Sequence, residues 1–256
     1  MRELCSNYGQ FDILWYDNII GMSNGSHCIG EVNANFRENV VMNSQLTAED
    51  YRSAELNAMV RSLQPGILIN DRSLLPEDFY TAEQNLHAPS DPERLWEGCI
   101  TMNKHWGFYP SDPYYKSPFD IIHSMTAVAS SGGHLLLNVG PDRYGRINTQ
   151  EIAILEAVGD WMKINAESVK GTSKIKINGG SYGCAAQKGK TVYLYLHYAN
   201  SEGFITIPDC EEKFTSAVVL GSDKSLQIEY NGRKIIIHGT PMPEYNKIPV
   251  IKLERI

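Results

Sequence analysis

Two carboxylates in this sequence stand where an acid is either useful or costly. Asp17 closes the apolar run of the stretch QFDILWYDN, just ahead of the Gly- and Ser-rich segment 21–30. A short continuous apolar run bounded by turn residues suits a buried strand covered on both faces. In parallel α/β architectures the carboxyl ends of strands line the active site, which makes Asp17 a candidate for chemistry; the competing role is a strand-terminal acid that accepts from loop amides. Glu97 lies inside a second run, LWEGCITM. A charge inside an apolar strand is costly unless it is paired, solvated or neutral, so Glu97 points to a cavity or a partner. Arg72 ends a third run, Ile67-Leu68-Ile69, in the polar terminus Asn70-Asp71-Arg72. Taken alone, Arg72 is as readily a surface ion-pair partner, and Asp71 a turn acceptor.

Other chemistries find little support. The five cysteines, Cys5, Cys28, Cys99, Cys184 and Cys210, are odd in number and form no CxxC pair, so they read as buried thiols rather than a disulfide framework. Seven histidines, at 27, 87, 105, 123, 134, 197 and 238, show no HxxxH spacing. No metal site and no cofactor is expected. A net charge of -7 without a dense Lys/Arg cluster argues against a nucleic-acid partner. No run of about 18 apolar residues predicts a membrane span. The N-terminus MRELCSNYG has no secretory apolar core, and the compartment stays open.

The elements that must position these residues alternate. A helix over 2–8 stops at Gly9 before the first strand. Apolar residues at helical spacing predict a helix over 48–63, with Thr47 as N-cap and Asp50 three residues on. Pro65-Gly66 ends it and launches the run at 67–69. The stretch 73–94, with Pro76, Pro89 and Pro92, reads as a long polar loop. Beyond Glu97 come a helix over 117–130, a buried strand over 134–139 and an amphipathic helix over 149–165. Past Thr172 the texture changes to short alternating runs with turn signals such as Asn231-Gly232, the mark of antiparallel β structure. The plan is two domains, 1–171 and 172–256.

Six segments in this order, YGQFDILWYDN, LQPGILINDR, DFYTAEQN, LWEGCITMNKHWGFYP, KSPFDIIHSMTAVASSGGHLLLNVGPDRYGRI and LEAVGDWMKINAESVKGT, resemble the retaining α-L-fucosidases of glycoside hydrolase family 29. The resemblance implies an α/β fold: part of a TIM-type (β/α) barrel followed by an antiparallel β-sandwich. It also implies metal-free cleavage of terminal α-L-fucosyl linkages on fucosylated glycans or oligosaccharides. Carried onto this sequence, Asp17 matches the nucleophile and Glu97 the general acid/base, with Glu83 of the AEQN segment as the alternative. Arg72 matches an arginine that contacts fucose, and Trp106 an aromatic near it. These residue types suit retaining hydrolysis, in which one carboxylate attacks the anomeric carbon while a second protonates the leaving oxygen and later deprotonates water. Arg72 offers fixed donors to sugar hydroxyls, and Trp106 an apolar wall for the C5 methyl group.

A family barrel has eight strands, and about four runs are visible here. Nothing before Asp17 supplies the paired-His segment resembling K-H-H-D-G-F, or the Trp, with which family members bind fucose hydroxyls. The sequence therefore reads as the second half of a catalytic domain plus its β domain. Its expected partner is a missing N-terminal half-barrel or another copy of the chain, because half a barrel exposes two strand edges and an apolar interior. A non-catalytic carbohydrate-binding or interaction module is the alternative, and a hydrolase of different sugar preference a third. The expected outcome for the purified 256-residue chain is little or no turnover of an aryl α-L-fucoside; a rate typical of an enzyme would contradict it.

Overall fold

In the computed structural model, which describes residues 1–17, 47–177, 182–198, 200–222 and 224–256, helix α1 (Arg2–Asn7) leads into strand β1 (Ile13–Leu14) through Gly9. Gly9 has φ +90°, a backbone conformation that side chains resist. The segment 21–30, with His27 and Cys28, lies outside the described residues. The chain divides into two compact units, Met1–Ile100 and Thr101–Ile256.

In the first unit, helix α2 (Ser53–Leu63) precedes β2 (Leu68–Ile69), followed by β3 (Phe79–Glu83) and β4 (Leu95–Thr101), whose last residue opens the second unit. β1 pairs parallel with β2, Leu14 opposite Ile69. A parallel bridge from Asn70 to Phe79 carries the order on to β3, and β3 pairs parallel with β4 from Phe79↔Leu95 to Glu83↔Cys99. Four strands thus run the same way in chain order. Leu14 and Ile69 pack with Val60 of α2, Cys5, Tyr16 and Ile67 in one core. Full burial of such side chains contributes about 1.5–3 kcal/mol each.

Side-chain amides complete this framework. Gln64, at the end of α2, accepts from Phe11 N and donates to Cys5 and Gly9 carbonyls, tying α2 to the α1–β1 turn. Asn70 is fully buried; its Oδ1 accepts from Tyr16 N and its Nδ2 donates to Tyr16 O, both at 3.0 Å. One amide replaces a pair of strand hydrogen bonds just beyond β1, next to Asp17. The Tyr16 hydroxyl donates to Asn57, and burial pushes its pKa up to about 12.

The second unit opens its helices with strong caps. α3 (Pro118–Ser130) has a capping box of Ser117 and Asp120 with proline in its first turn. After β5 (His134–Asn138), Asn148 caps α4 (Thr149–Asn165) by accepting from Glu151 N. Antiparallel strands follow: β6 (Ser173–Lys174), β7 (Gly183–Lys188), β8 (Thr191–Leu196), β9 (Phe204–Ile207), β10 (Phe214–Val219), β11 (Gln227–Asn231), β12 (Lys234–His238) and β13 (Val250–Arg255). They form a five-stranded sheet, β10-β13-β8-β7-β6, and a three-stranded sheet, β11-β12-β9. Alternation sorts the two faces of β8. Val192, Leu194 and Leu196 join Ile205, Ile207, Ile235 and Ile237 in the core shared by both sheets. Tyr193 and Tyr195 pack instead with Ile122 of α3 and Trp161 of α4. The β11–β12 hairpin turns at Asn231-Gly232, with Gly232 at φ +60°.

Several sequence expectations need correction. The helix expected over 48–63 starts at Ser53, because Arg52 takes left-handed φ +52°; the Thr47–Asp50 pair caps a preceding turn instead. The stretch expected to be a loop over 73–94 contains β3, whose short run Phe79-Tyr80-Thr81 is hidden between prolines and acids. The first run is covered on one face only: Ile13 is 50% exposed and its partner Leu68 40%. β5 is also partly open, with Leu136 44% exposed. β7, with its small residues Gly183, Ala185 and Ala186, carries no alternation strong enough to announce it.

Two stability effects follow. Asn70→Ala leaves the Tyr16 N–H and C=O without their amide partner and is expected to cost about 2–6 kcal/mol, at about 1–3 kcal/mol for each orphaned group, in urea unfolding; a loss under about 0.5 kcal/mol would contradict the clamp. In the second unit, burial holds His197 down at about 3, with the tilted His123 ring 4.1 Å away adding repulsion, and Thr126 Oγ1 lies 2.9 Å from its Nε2. The folded-state pKa lies below the unfolded value near 6.5, so the unfolded chain binds the extra proton. Stability is full above about pH 6.5 and falls by up to about 1.4 kcal/mol per pH unit towards the folded pKa. His197→Gln is expected to flatten that slope in unfolding curves taken between about pH 6.5 and 4.

Candidate active site

The polar ends of the four parallel strands meet around Arg72. The residue sits in a 3₁₀ turn, Asp71–Ser73, directly after the Asn70 clamp, and its side chain is only 10% exposed. A guanidinium withdrawn from water needs acceptors for its N–H groups. Nε donates to Thr81 Oγ1 at 3.1 Å, Nη2 to Glu83 Oε2 at 2.6 Å and Nη1 to Asp17 Oδ1 at 3.4 Å. Cys99 Sγ lies 3.5 Å from Nη2. The guanidinium carbon stacks 4.4 Å from the ring centroid of Trp15.

Register explains why these groups share one face. Thr81 stands opposite Glu97 and Glu83 opposite Cys99, and the two-residue period places all four on the same side of the β3–β4 pair. Trp15 and Asp17, two residues apart beyond β1, supply the other flank. The Trp15 Nε1–H donates to Glu97 Oε1 at 2.8 Å, spanning 82 residues of sequence. Gln84 turns the chain away after Glu83 in a left-handed conformation, φ +53°, fixed by its N–H bond to the Cys99 carbonyl at 2.8 Å. Such a backbone state costs about 1–2 kcal/mol for a residue with a side chain.

Two carboxylates therefore bind the guanidinium and a third joins through Trp15, each in a different setting. Asp17 is open, with its side chain 64% exposed and one oxygen towards Arg72. Glu83 is 18% exposed and directly ion-paired. Glu97 is half-buried and bound to an indole N–H rather than to a cation. The neighbouring Trp96 falls on the opposite face of β4, and the aromatic partner of Glu97 is Trp15. Asp71 accepts from the Thr81 N–H and hydroxyl at 3.1 and 2.9 Å, bonds to strand β3 rather than to its own turn.

Asp17, Arg72, Glu97 and the alternative Glu83 thus come together in the first unit. Trp106 lies in the second unit, 42% exposed, with its carbonyl accepting from Asn138 Nδ2 at 2.8 Å. The adjoining Gly107 backbone lies so near Gly140 that a Cβ there would stand 2.8 Å from the Gly107 carbonyl oxygen. Sequence reasoning missed Trp15, Thr81 and Cys99. For Trp15 the signal was present, since it shares the strand face of Asp17 two residues on. Among the described residues no group of three His, Cys, Asp or Glu side chains fits a metal ion, and no helix is long and apolar enough to cross a membrane.

Comparison with known proteins places this chain in a family. The α-L-fucosidase family profile matches residues 1–167. The α-L-fucosidase of Dictyostelium discoideum is 26% identical over 149 residues, covering 56% of this chain and 32% of that protein. Human tissue α-L-fucosidase is 30% identical over 146 residues, 52% of this chain and 31% of that protein. The chain thus spans about a third of the length of these relatives. Among solved structures, α-L-fucosidase isoenzyme 1 from Paenibacillus thiaminolyticus aligns with a TM-score of 0.81 at 26% identity, covering 100% of this chain and 60% of that one. A family 29 α-L-fucosidase from Bacteroides thetaiotaomicron shares the fold, with a TM-score of 0.71 at 21% identity over 80% of this chain and 53% of that one. With its family profile matched over the strands that carry Asp17, Arg72, Glu83 and Glu97, the chain belongs to the α-L-fucosidases of glycoside hydrolase family 29.

Proposed function

We propose that this chain carries the carboxylate pair of a retaining α-L-fucosidase acting on terminal α-L-fucosyl groups of glycans. The observation that carries the reading is the Trp15–Glu97 hydrogen bond, which brings an acid from β4 beside the strand end that holds Asp17. Asp17 is the nucleophile: it is open to solvent on one side and faces Arg72 on the other, so it is reachable and charge-compensated. Glu97 is the general acid/base. Glu83 fits that role less well, because its carboxylate is the close ion-pair partner of Arg72, and protonating it would discard that pair. Arg72 braces Asp17 and Glu83 and presents donors to sugar hydroxyls.

The architecture supports the same reading. The four parallel strands in chain order, backed by α2, suit part of a TIM-type (β/α) barrel, with the candidate site at their carboxyl ends. Two antiparallel sheets around one core suit a β-sandwich, and we assign 1–171 to the barrel and 172–256 to the sandwich. The Bacteroides relative has been captured as a covalent intermediate with 2-fluoro-fucosyl fluoride in a glutamate-to-glutamine variant, the species that a carboxylate nucleophile forms.

Prolonged incubation with the same reagent tests the assignment even where turnover is slow, because the fluorinated ester is long-lived and fluoride departs without a proton donor. Peptide mapping is expected to find the fucosyl adduct on the peptide containing Asp17, no adduct in Asp17→Asn, and continued labelling in Glu97→Gln. With a 2-fluoro-fucoside whose leaving group must be protonated, the rate of adduct formation on prolonged incubation is expected to fall about 10²–10⁴-fold in Glu97→Gln, the usual weight of general acid catalysis, and much less in Glu83→Gln. An adduct on another residue, or equal losses in the two glutamine variants, would overturn the assignment.

A further inference from the structure

We propose that the loops after β4 and β5, residues 102–117 and 139–148, form a subsite for a negatively charged sugar of the substrate glycan, with Lys104 and Arg143 as its anion donors. That the ligand is a glycan rests on the fucosidase reading above. Both loops leave the carboxyl ends of strands, the end at which parallel α/β architectures bind ligands. They meet where Asn148 Nδ2 donates to the Tyr115 hydroxyl at 3.2 Å. Together they hold Lys104, Lys116, Arg143 and Arg146 against Asp112 and Asp142, a positive surplus within a chain of net charge -7.

The two acids are spent inside their own loops. Asp112 is buried and accepts from Lys104 N at 3.0 Å and Tyr114 N at 2.9 Å, and its Oδ2 lies 2.9 Å from His105 Nδ1. Asp142 accepts from Tyr144 N at 2.8 Å, Arg146 N at 3.0 Å and Arg146 Nε at 2.9 Å. Each carboxylate thus folds a loop that sets cations on an exposed tyrosine. Lys104 Nζ lies 4.4 Å from the Tyr114 ring centroid, and the Arg143 and Arg146 guanidinium carbons lie 4.8 and 5.0 Å from that of Tyr144. Lys116 is committed to the Thr101 carbonyl and Arg146 to Asp142, whereas among the described residues Lys104 and Arg143 pair with no carboxylate. A guanidinium stacked on a ring keeps the N–H donors at its edge for a ligand anion. Because the loop backbones are already fixed, little ordering cost remains at binding. Tyr114 and Tyr144, 63% and 65% exposed, add apolar ring surface beside the charge. A bare ion gains nothing from that surface; a sugar that bears an acid gains from both.

NMR titration of the 256-residue chain at low salt tests this, with galacturonic acid, galactose 6-sulfate, galactose and inorganic sulfate as separate probes. The acidic sugars are expected to give saturable shifts at the Arg143 Nε–H and the Tyr114 and Tyr144 ring signals, and to bind at least about 3-fold tighter than galactose or sulfate. The double variant Lys104→Gln/Arg143→Gln is expected to weaken them about 3–10-fold and leave galactose unchanged. Sodium chloride at about 0.5 M is expected to erase the preference in the native chain. A response to one acidic sugar alone still supports the subsite and identifies its acid group. Should the double variant not fold, the comparison of probes and salt in the native chain decides. Galactose binding as tightly as the acidic sugars, or acidic-sugar affinity indifferent to the double variant, would overturn the proposal. Inorganic sulfate binding as tightly as galactose 6-sulfate would also overturn it, leaving an ion site only. A preference for acidic sugars without covalent labelling of Asp17 would instead strike down the fucosidase reading; labelling without that preference would strike down the subsite alone.

Discussion

A guanidinium withdrawn from water sets the terms for the strand ends of the first unit. Arg72 carries a permanent charge at 10% exposure, a position that is costly unless its N–H groups and its faces are occupied. Thr81, Glu83 and Asp17 accept from it, and Trp15 covers its face. These partners come from two places along the chain, the end of β1 and β3, while Arg72 follows β2, so the burial of one side chain requires the ends of β1, β2 and β3 to adopt a single arrangement. Glu97 of β4 joins through Trp15. Strand register then turns a stability requirement into a geometric one, placing Thr81 and Glu83 on the face that holds Glu97 and Cys99.

The framework beneath is built from amides as much as from apolar packing. Asn70 and Gln64 replace missing strand hydrogen bonds around short β1 and β2, which have only two residues each. Such short strands cannot hold register by ladder length. The clamp at Tyr16 does so next to Asp17, while α2 buries one face through Val60, Leu14 and Ile69. In the second unit the same economy appears at helix starts, where Ser117–Asp120 and Asn148 satisfy the first-turn amides.

Much of this was legible in the residues, for identifiable reasons. The helix over 149–165 was legible at its observed bounds because its apolar periodicity is strong and its start carries a cap, and Asn231-Gly232 marked the β11–β12 turn. Asp17 and Glu97 were visible because acids in apolar runs are costly. β3 was hidden, since five residues between prolines and acids show no period, and with it went the physical reason for Glu83 and Thr81 to matter. The start of α2 was misread because the Thr47–Asp50 box is a genuine cap, and only the left-handed Arg52 after it ends the turn. Trp15–Glu97 joins residues 82 apart, a separation at which one sequence gives no pairing information.

If the Arg72-centred site is where sugar is recognised, ligand binding must be felt there. L-fucose titrated into the 256-residue chain and followed by NMR reads this directly. The account predicts saturable shifts in the Arg72 Nε–H and Trp15 indole signals, with no comparable shifts in the strands beyond Ser173. Shifts confined to those later strands, with the Arg72 and Trp15 signals unmoved at saturation, would contradict it.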